Sequence, residues 1–274
     1  MLKDNFFDRK SYLAILEKRV IALKDGYRQN IALIGDEQVG KTSILHKFLN
    51  GFLDNRFIML YVEARLESLP LFCKRFAGVL LYNFLSSSGI SLREDLEFLI
   101  EKSSAYIPKT VAKIKAIFAD VERRKKENIF GELLSLTNII HQETNKFCVV
   151  IFDEFHNLES LGIKSLYKEW AQRLMIEKTT MFIITSSSPY KAKTVLSQDL
   201  SLLFGNFEVL NVEPFDIKSS DEYLRQRLGS LSIKEEVRNF IVHFTGGYPF
   251  YLEIFAQIFT PLESPAAYSG DEDI

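Results

Sequence analysis

Three short segments hold residues whose types and spacing can do chemistry. The first is Gly35-Asp36-Glu37-Gln38-Val39-Gly40-Lys41-Thr42, followed by Ser43. It fits the phosphate-cradling pattern G-x-x-x-x-G-K-[ST] in full. Glycines let the backbone turn so that its N–H groups converge on phosphate oxygens. A helix beginning near Lys41 adds the positive end of its dipole. Lys41 can then reach the β- and γ-phosphates of a nucleoside triphosphate, and the Thr42 hydroxyl can ligate Mg2+. The second segment is Cys148-Val149-Val150-Ile151-Phe152-Asp153-Glu154. An apolar strand delivers two carboxylates at its C-terminal end, where open α/β sheets bind ligands. Asp153 is a candidate to hold Mg2+ through its water shell. Glu154 is a candidate general base for an attacking water. Alone this second pattern is common, and its weight comes from following the first. The third segment runs from Met181 to Thr185 into Ser186-Ser187-Ser188-Pro189. Thr185 and Ser186 are candidates to sense the terminal phosphate or the attacking water, set against an ordinary Ser-rich turn.

These residues need a scaffold, and the hydropathy pattern supplies one. Apolar runs at 30–34, 57–62, 147–152, 181–185 and 207–210 read as strands. They are apolar throughout rather than alternating, as strands covered on both faces should be. Helical patterns lie between them. The first covers about 6–25, where Leu13, Leu16, Val20 and Leu23 recur at three- and four-residue spacing. Others span 42–49, stopping at Asn50-Gly51 as a C-cap, then 71–85, several within 92–127, 133–141 and 159–177. Beyond Pro214 the pattern is helical and is interrupted by Gly246-Gly247-Tyr248-Pro249. Strands alternating with helices imply a parallel sheet between two helical layers.

Composition narrows the function classes. Of 274 residues, 47% are apolar and 26% charged, which excludes wholesale disorder, collagen-like repeats and a coiled-coil rod. The net charge of −2 gives no global basic field for nucleic acid. The run Arg123-Arg124-Lys125-Lys126 is flanked by Glu122 and Glu127 and reads as a solvated helix face. The 23 phenylalanines suggest a thickly packed interior or an apolar partner face. Cys73 and Cys148 sit in apolar runs and read as small buried hydrophobes. The four histidines have no metal-ligand spacing, and only His156 lies close to the carboxylate pair. The N-terminus has no apolar core of signal-peptide length, and no long apolar span occurs, so a cytoplasmic location without membrane contact is the default expectation.

Taken in this order, the three segments resemble the AAA+ and STAND branch of the P-loop ATPases. The resemblance is closest to the archaeal-type ATPases, kin of the origin-recognition ATPases, and covers about residues 6–258. Phe7-Asp8-Arg9-Lys10 stands where that family carries a segment near the adenine, so the resemblance implies Arg9 as an ATP-binding residue. Gly246-Gly247-Tyr248-Pro249 matches the family's Gly-Gly-x-Pro at the start of a late helix, which implies a helical lid with Pro249 beside the nucleotide. It also implies the Walker A and Walker B roles for the first two segments and adenine rather than guanine. The expected fold is a three-layer α/β P-loop NTPase with a five-stranded parallel sheet in the order 5-1-4-3-2. The expected organisation is an ATPase core at 1–212 with a helical insertion at about 88–128, a lid at 213–262 and a flexible acidic tail at 263–274. Family members often carry an arginine before the fifth strand that acts on a neighbour's γ-phosphate. Asn206 stands there in this sequence, with Arg173, Arg225 and Arg227 as other sources. The expected function is Mg-dependent ATP binding and hydrolysis, driving lid closure and acting on a separate protein partner or additional domain. A homo-oligomer is compatible with it, and nucleic acid is disfavoured. The alternative is a nucleotide-dependent scaffold with little turnover, motivated by Asn206.

Overall fold

The computed structural model describes residues 6–88, 95–124, 127–200, 207–229 and 233–259. Its strands are β1 (Asn30–Ile34), β2 (Phe57–Glu63), β3 (Phe147–Asp153), β4 (Thr180–Ser186) and β5 (Phe207–Asn211). All pair in parallel, in the order β2-β3-β4-β1-β5. Read from the other edge, this is the expected 5-1-4-3-2. Every residue of β1 and β4 is buried, as strands covered on both faces require. The register sets Glu63 opposite Asp153, and Ile34 opposite both Ser186 and Asn211. The C-terminal ends of all five strands therefore open on one rim.

The helices of this unit are α1 (Lys10–Leu23), α2 (Lys41–Gly51), α3 (Leu69–Ser86), α4 (Leu96–Ser104), α5 (Pro108–Glu122), α6 (Ile129–Thr144), α7 (Leu166–Ile176) and α8 (Pro189–Thr194). Among the described residues, none is long and apolar enough to cross a membrane. Much of the Phe content packs inside. Trp170 on α7 is fully buried, with Phe130, Phe152 and Phe182 around it at 5.8, 5.3 and 5.4 Å between ring centres. Cys73 and Cys148 are free and buried.

Carboxylates from distant positions finish the helix ends. Glu143 of α6 accepts the N–H groups of Lys109 and Thr110 in the first turn of α5. Glu169 of α7 is buried and accepts the N–H groups of Asn128 and Gly131 at the start of α6. Each satisfies donors that a helix start leaves open.

Several boundaries differ from the sequence pattern. The region 159–177 is not one helix. A 3-10 stretch, Phe155–Leu161, ends at Gly162 with φ 66°, and α7 begins only at Leu166. The left-handed glycine breaks the apolar periodicity that reads as continuous. Gly51 closes α2 from inside the helix rather than capping it. Arg123 and Arg124 are exposed, as a solvated face requires. Lys125, Lys126, Asn206 and the acidic tail lie outside the described residues.

A second compact unit is built mainly of residues 213–259. It holds α9 (Ile217–Leu228), α10 (Glu235–Thr245) and α11 (Pro249–Phe259). Phe215, Leu224, Leu228, Val242, Leu252 and neighbours form its small core, and Phe7 sets its ring edge against Phe215 and Tyr223. Gly246 and Gly247 both have positive φ. At Gly247 a Cβ would lie 2.0 Å from the Phe215 carbonyl oxygen, while the Phe215 N–H donates to the Gly247 carbonyl at 2.8 Å. Only glycine permits that approach. Gly247→Ala should therefore destabilise this unit by at least about 2 kcal/mol. Amide exchange within 215–259, compared with that of the sheet, checks it.

Glu177 follows α7 and is buried, with Arg173 Nη1 3.9 Å away and its Oε2 lacking a hydrogen-bond partner. Burial raises its pKa from 4.5 to about 7, against the opposing charges of Arg173 and Arg28. The native state thus binds a proton that the unfolded chain releases. This contribution is favourable below about pH 4.5 and is lost as pH rises toward 7. Glu177→Gln removes the charge but keeps the shape. The variant should gain stability over the wild type between pH 5 and 7.5, reaching on the order of 1–3 kcal/mol at pH 8. Urea titrations across that range measure the gap.

Candidate nucleotide and metal site

The Gly35–Thr42 segment leaves β1 at the rim. Gly35 donates its N–H to the Ser186 carbonyl at 3.3 Å, tying the start of the loop to the end of β4. Asp36, Glu37 and Gln38 are exposed and Val39 is buried. Gln38 has φ 65° and Gly40 φ 95°. A Cβ at Gly40 would meet nothing within 4 Å, so backbone conformation and not crowding calls for glycine there. α2 begins at Lys41, directing its unpaired N–H groups into the loop. Thr42 and Ser43 are exposed on its first turn.

Lys41 is 4% exposed and folds back over its own loop. Its Nζ donates to the carbonyls of Gly35 at 2.9 Å and Asp36 at 2.7 Å, and lies 3.7 Å from Glu154 Oε1. Burial lowers its pKa, opposed by the charges of Glu154, Asp153 and Asp36. The ammonium is thus held in place by weak neutral acceptors and one ion pair, which an incoming phosphate can replace.

Asp153 ends β3 and is 2% exposed. Its Oδ2 accepts from Thr42 Oγ1 at 2.8 Å and from Tyr61 Oη at 2.6 Å, and its Oδ1 accepts from Thr185 Oγ1. Thr42 and Asp153 are hard oxygen donors in direct contact, the set that Mg2+ takes alongside water and phosphate. The single hydroxyl hydrogen of Thr42 is spent on Asp153, which leaves its lone pairs for a cation. The residues present fit Mg2+.

Glu154 adopts φ 55°, ψ 48°, a left-handed conformation that costs a non-glycine residue about 1–3 kcal/mol. Its N–H donates to Thr185 Oγ1 at 2.9 Å. Its Oε2 accepts the Ser187 N–H at 2.7 Å and lies 3.4 Å from His156 Nδ1. His156 Nδ1 is also 2.9 Å from Ser186 Oγ. Burial lowers the His156 pKa from its ordinary value, against the opposing charge of Glu154, and so favours the neutral imidazole. The turn aims Glu154 into the rim, where its carboxylate can accept a proton from water.

The structure thus brings together Gly35, Lys41, Thr42, Asp153, Glu154, Thr185 and Ser186. Arg9 is the N-cap of α1, with its guanidinium 5.6 Å from the Tyr12 ring centre. Pro249 opens α11 in the second unit. Each alternative arginine is ion-paired: Arg173 with Glu132, Arg225 with Asp221 and Arg227 with Glu253. Sequence reasoning missed Tyr61 and Ser187. Tyr61 has no local signature, because only the β2–β3 register carries its hydroxyl to Asp153.

Thr185 binds two groups at once, the Asp153 carboxylate and the Glu154 amide. Thr185→Val should cost about 1–3 kcal/mol by leaving both short of a partner in a buried place. Thr185→Ser should recover most of it. Chemical denaturation of the two variants tests this.

Comparison with known proteins agrees with the geometry. A family model for an ATPase domain predominantly from Archaea matches residues 6–255. No curated protein matches the chain. Among solved structures, the chain is similar to the Walker-type ATPase PABY2304 of Pyrococcus abyssi, at 21% identity and TM-score 0.63, over 93% of this chain and 67% of that one. It is also similar to the Aeropyrum pernix ORC1 protein, solved in complex with DNA, at 13% identity and TM-score 0.55, over 92% and 59%. CDC6p from Pyrobaculum aerophilum matches at 12% identity and TM-score 0.51, over 91% and 61%. These likenesses establish the shared α/β fold, and the chain spans about two thirds or less of each solved protein.

Proposed function

Because the chain belongs to the family of ATPase domains found predominantly in Archaea, we propose that it binds ATP with Mg2+ and hydrolyses it to switch a separate protein partner. The observation that carries this reading is the convergence of Lys41, Thr42, Asp153 and Glu154 on one rim, from α2 and the end of β3. The loop from Gly35 to Thr42, with Ser43 beside it, binds the phosphates. Lys41 leaves its carbonyl contacts for the β- and γ-phosphates. Thr42 and Asp153 hold Mg2+, which when bound neutralises charge on the phosphate oxygens. Glu154 takes a proton from the attacking water as its oxygen bonds to the γ-phosphorus and ADP departs. Thr185 and Ser186 act as sensors, Thr185 through Asp153. Arg9 and Pro249 contact the nucleotide by family analogy alone, and the helical unit serves as the lid that reads the nucleotide state. The low net charge supports a protein partner over nucleic acid.

A second reading is a nucleotide-dependent scaffold with little turnover. It is favoured by the engagement of Glu154 with Ser187 and Lys41, and by the pairing of Arg173, Arg225 and Arg227 within the chain. An arginine finger is worth about 10³–10⁵ in rate where one operates.

ATP turnover and binding in the wild type, Lys41→Ala and Glu154→Gln decide between these. Hydrolysis predicts that Lys41→Ala loses nucleotide binding, whereas Glu154→Gln keeps binding and loses roughly 10²–10⁴ in rate. Equal rates in all three would sink the catalytic claim. Tight ATP retention without turnover in the wild type would favour the scaffold.

A further inference from the structure

Tyr61 is absent from the phosphate-binding motif and both strand-end motifs, yet its hydroxyl reaches the centre of the site. It sits on β2, the edge strand, opposite Ile151 and two residues before Glu63, which pairs with Asp153. Its ring is partly exposed, lines a groove of about 450 Å³ with Met59, Val79 and Asn83, and meets His46 of α2 edge-to-face at 5.1 Å. A phenylalanine would satisfy all of those packing contacts. The hydroxyl does one further thing, donating to Asp153 Oδ2 at 2.6 Å.

The lone pairs of Asp153 show what that bond controls. A carboxylate offers about four acceptor sites, two on each oxygen. Thr42 and Tyr61 fill the two on Oδ2, and Thr185 takes one on Oδ1. One site on Oδ1 remains. Three hydroxyls from α2, β2 and β4 thus fix the plane of the carboxylate and leave a single acceptor direction. Without the Tyr61 bond, one of the three restraints on rotation about the Cβ–Cγ bond is lost and a second acceptor site opens on Oδ2. Partners that orient a metal-binding carboxylate are worth roughly 10–100-fold in metal affinity or activity.

We propose that Tyr61 is a positioning residue for the divalent-metal site, holding the Asp153 carboxylate so that its remaining acceptor site faces metal-bound water. The inference rests on the Mg-nucleotide reading of the same site. It assigns Tyr61 no contact with substrate and no proton transfer. If the hydroxyl were only satisfying a strand-end carboxylate, its loss would change stability without changing metal dependence.

Tyr61→Phe separates these roles. Binding of a fluorescent ATP analogue is measured in EDTA and across a Mg2+ titration, for the wild type, Tyr61→Phe, Asp153→Asn and the double variant. Circular dichroism confirms that each is folded. Metal-free affinity of Tyr61→Phe should stay within about twofold of the wild type, while the Mg2+ midpoint rises roughly tenfold. In the Asp153→Asn background, adding Tyr61→Phe should move the midpoint less than about twofold, since the effect passes through the carboxylate. A Tyr61→Phe midpoint that superimposes on the wild type would overturn the inference and leave the nucleotide reading standing. So would an equal shift in the Asp153→Asn background. Failure of the wild type to bind the analogue at any Mg2+ concentration would overturn both together.

Discussion

The Asp153 carboxylate is the point at which the rim of the sheet is joined. Its donors come from three elements: Thr42 from the first turn of α2, Tyr61 from β2 and Thr185 from β4. A buried carboxylate is costly unless its oxygens are hydrogen-bonded. The cost is offset only if β2, β3 and β4 keep the register that aligns these ends. A slip of one residue would move every side chain of a strand to the opposite face and break the junction. The same junction decides the geometry of Glu154, whose N–H is bound by the Thr185 hydroxyl and whose backbone is left-handed. Stability of the sheet end and placement of the reactive groups are thus one constraint.

The helical layer uses carboxylates in a similar way, Glu169 buried and Glu143 half-buried. Glu169 and Glu143 each complete a helix start that lies far away in sequence. The aromatic cluster around Trp170 supplies apolar burial but little direction, because such contacts are weakly oriented. The charged caps set where α5 and α6 begin and hold α7 against α6. Glu177 is the exception, buried beside two arginines with one oxygen unsatisfied, and its raised pKa expresses that shortfall.

For function, the important contrast is between groups that are placed and groups that are spent. Lys41 rests on backbone carbonyls of its own loop, contacts that a phosphate can exchange at little cost. Glu154 accepts the Ser187 N–H on Oε2, with His156 and Lys41 nearby, and keeps further acceptor sites open. Arg173, Arg225 and Arg227 are committed to carboxylates within the chain.

The sequence by itself determined the parallel sheet, its strand positions and the loop at Gly35–Thr42. These are properties of local pattern: doubly buried strands are apolar throughout, and a phosphate loop needs its glycines and lysine at fixed spacing. It also marked Asp153 and Glu154, because carboxylates at the end of an apolar strand face the ligand rim. Helix limits were less legible. The periodicity of 159–177 is continuous, but Gly162 turns the chain left-handed and splits it. The start of α6 depends on Glu169, whose carboxylate reaches it only in the folded chain. Thr185 was legible as polar at a strand end, though not as the bridge between Asp153 and Glu154. Tyr61 reads as one more aromatic in an apolar strand. Tertiary structure alone decided its role, because a hydrogen bond between residues 92 positions apart is fixed by strand register and pleat, which no local pattern records.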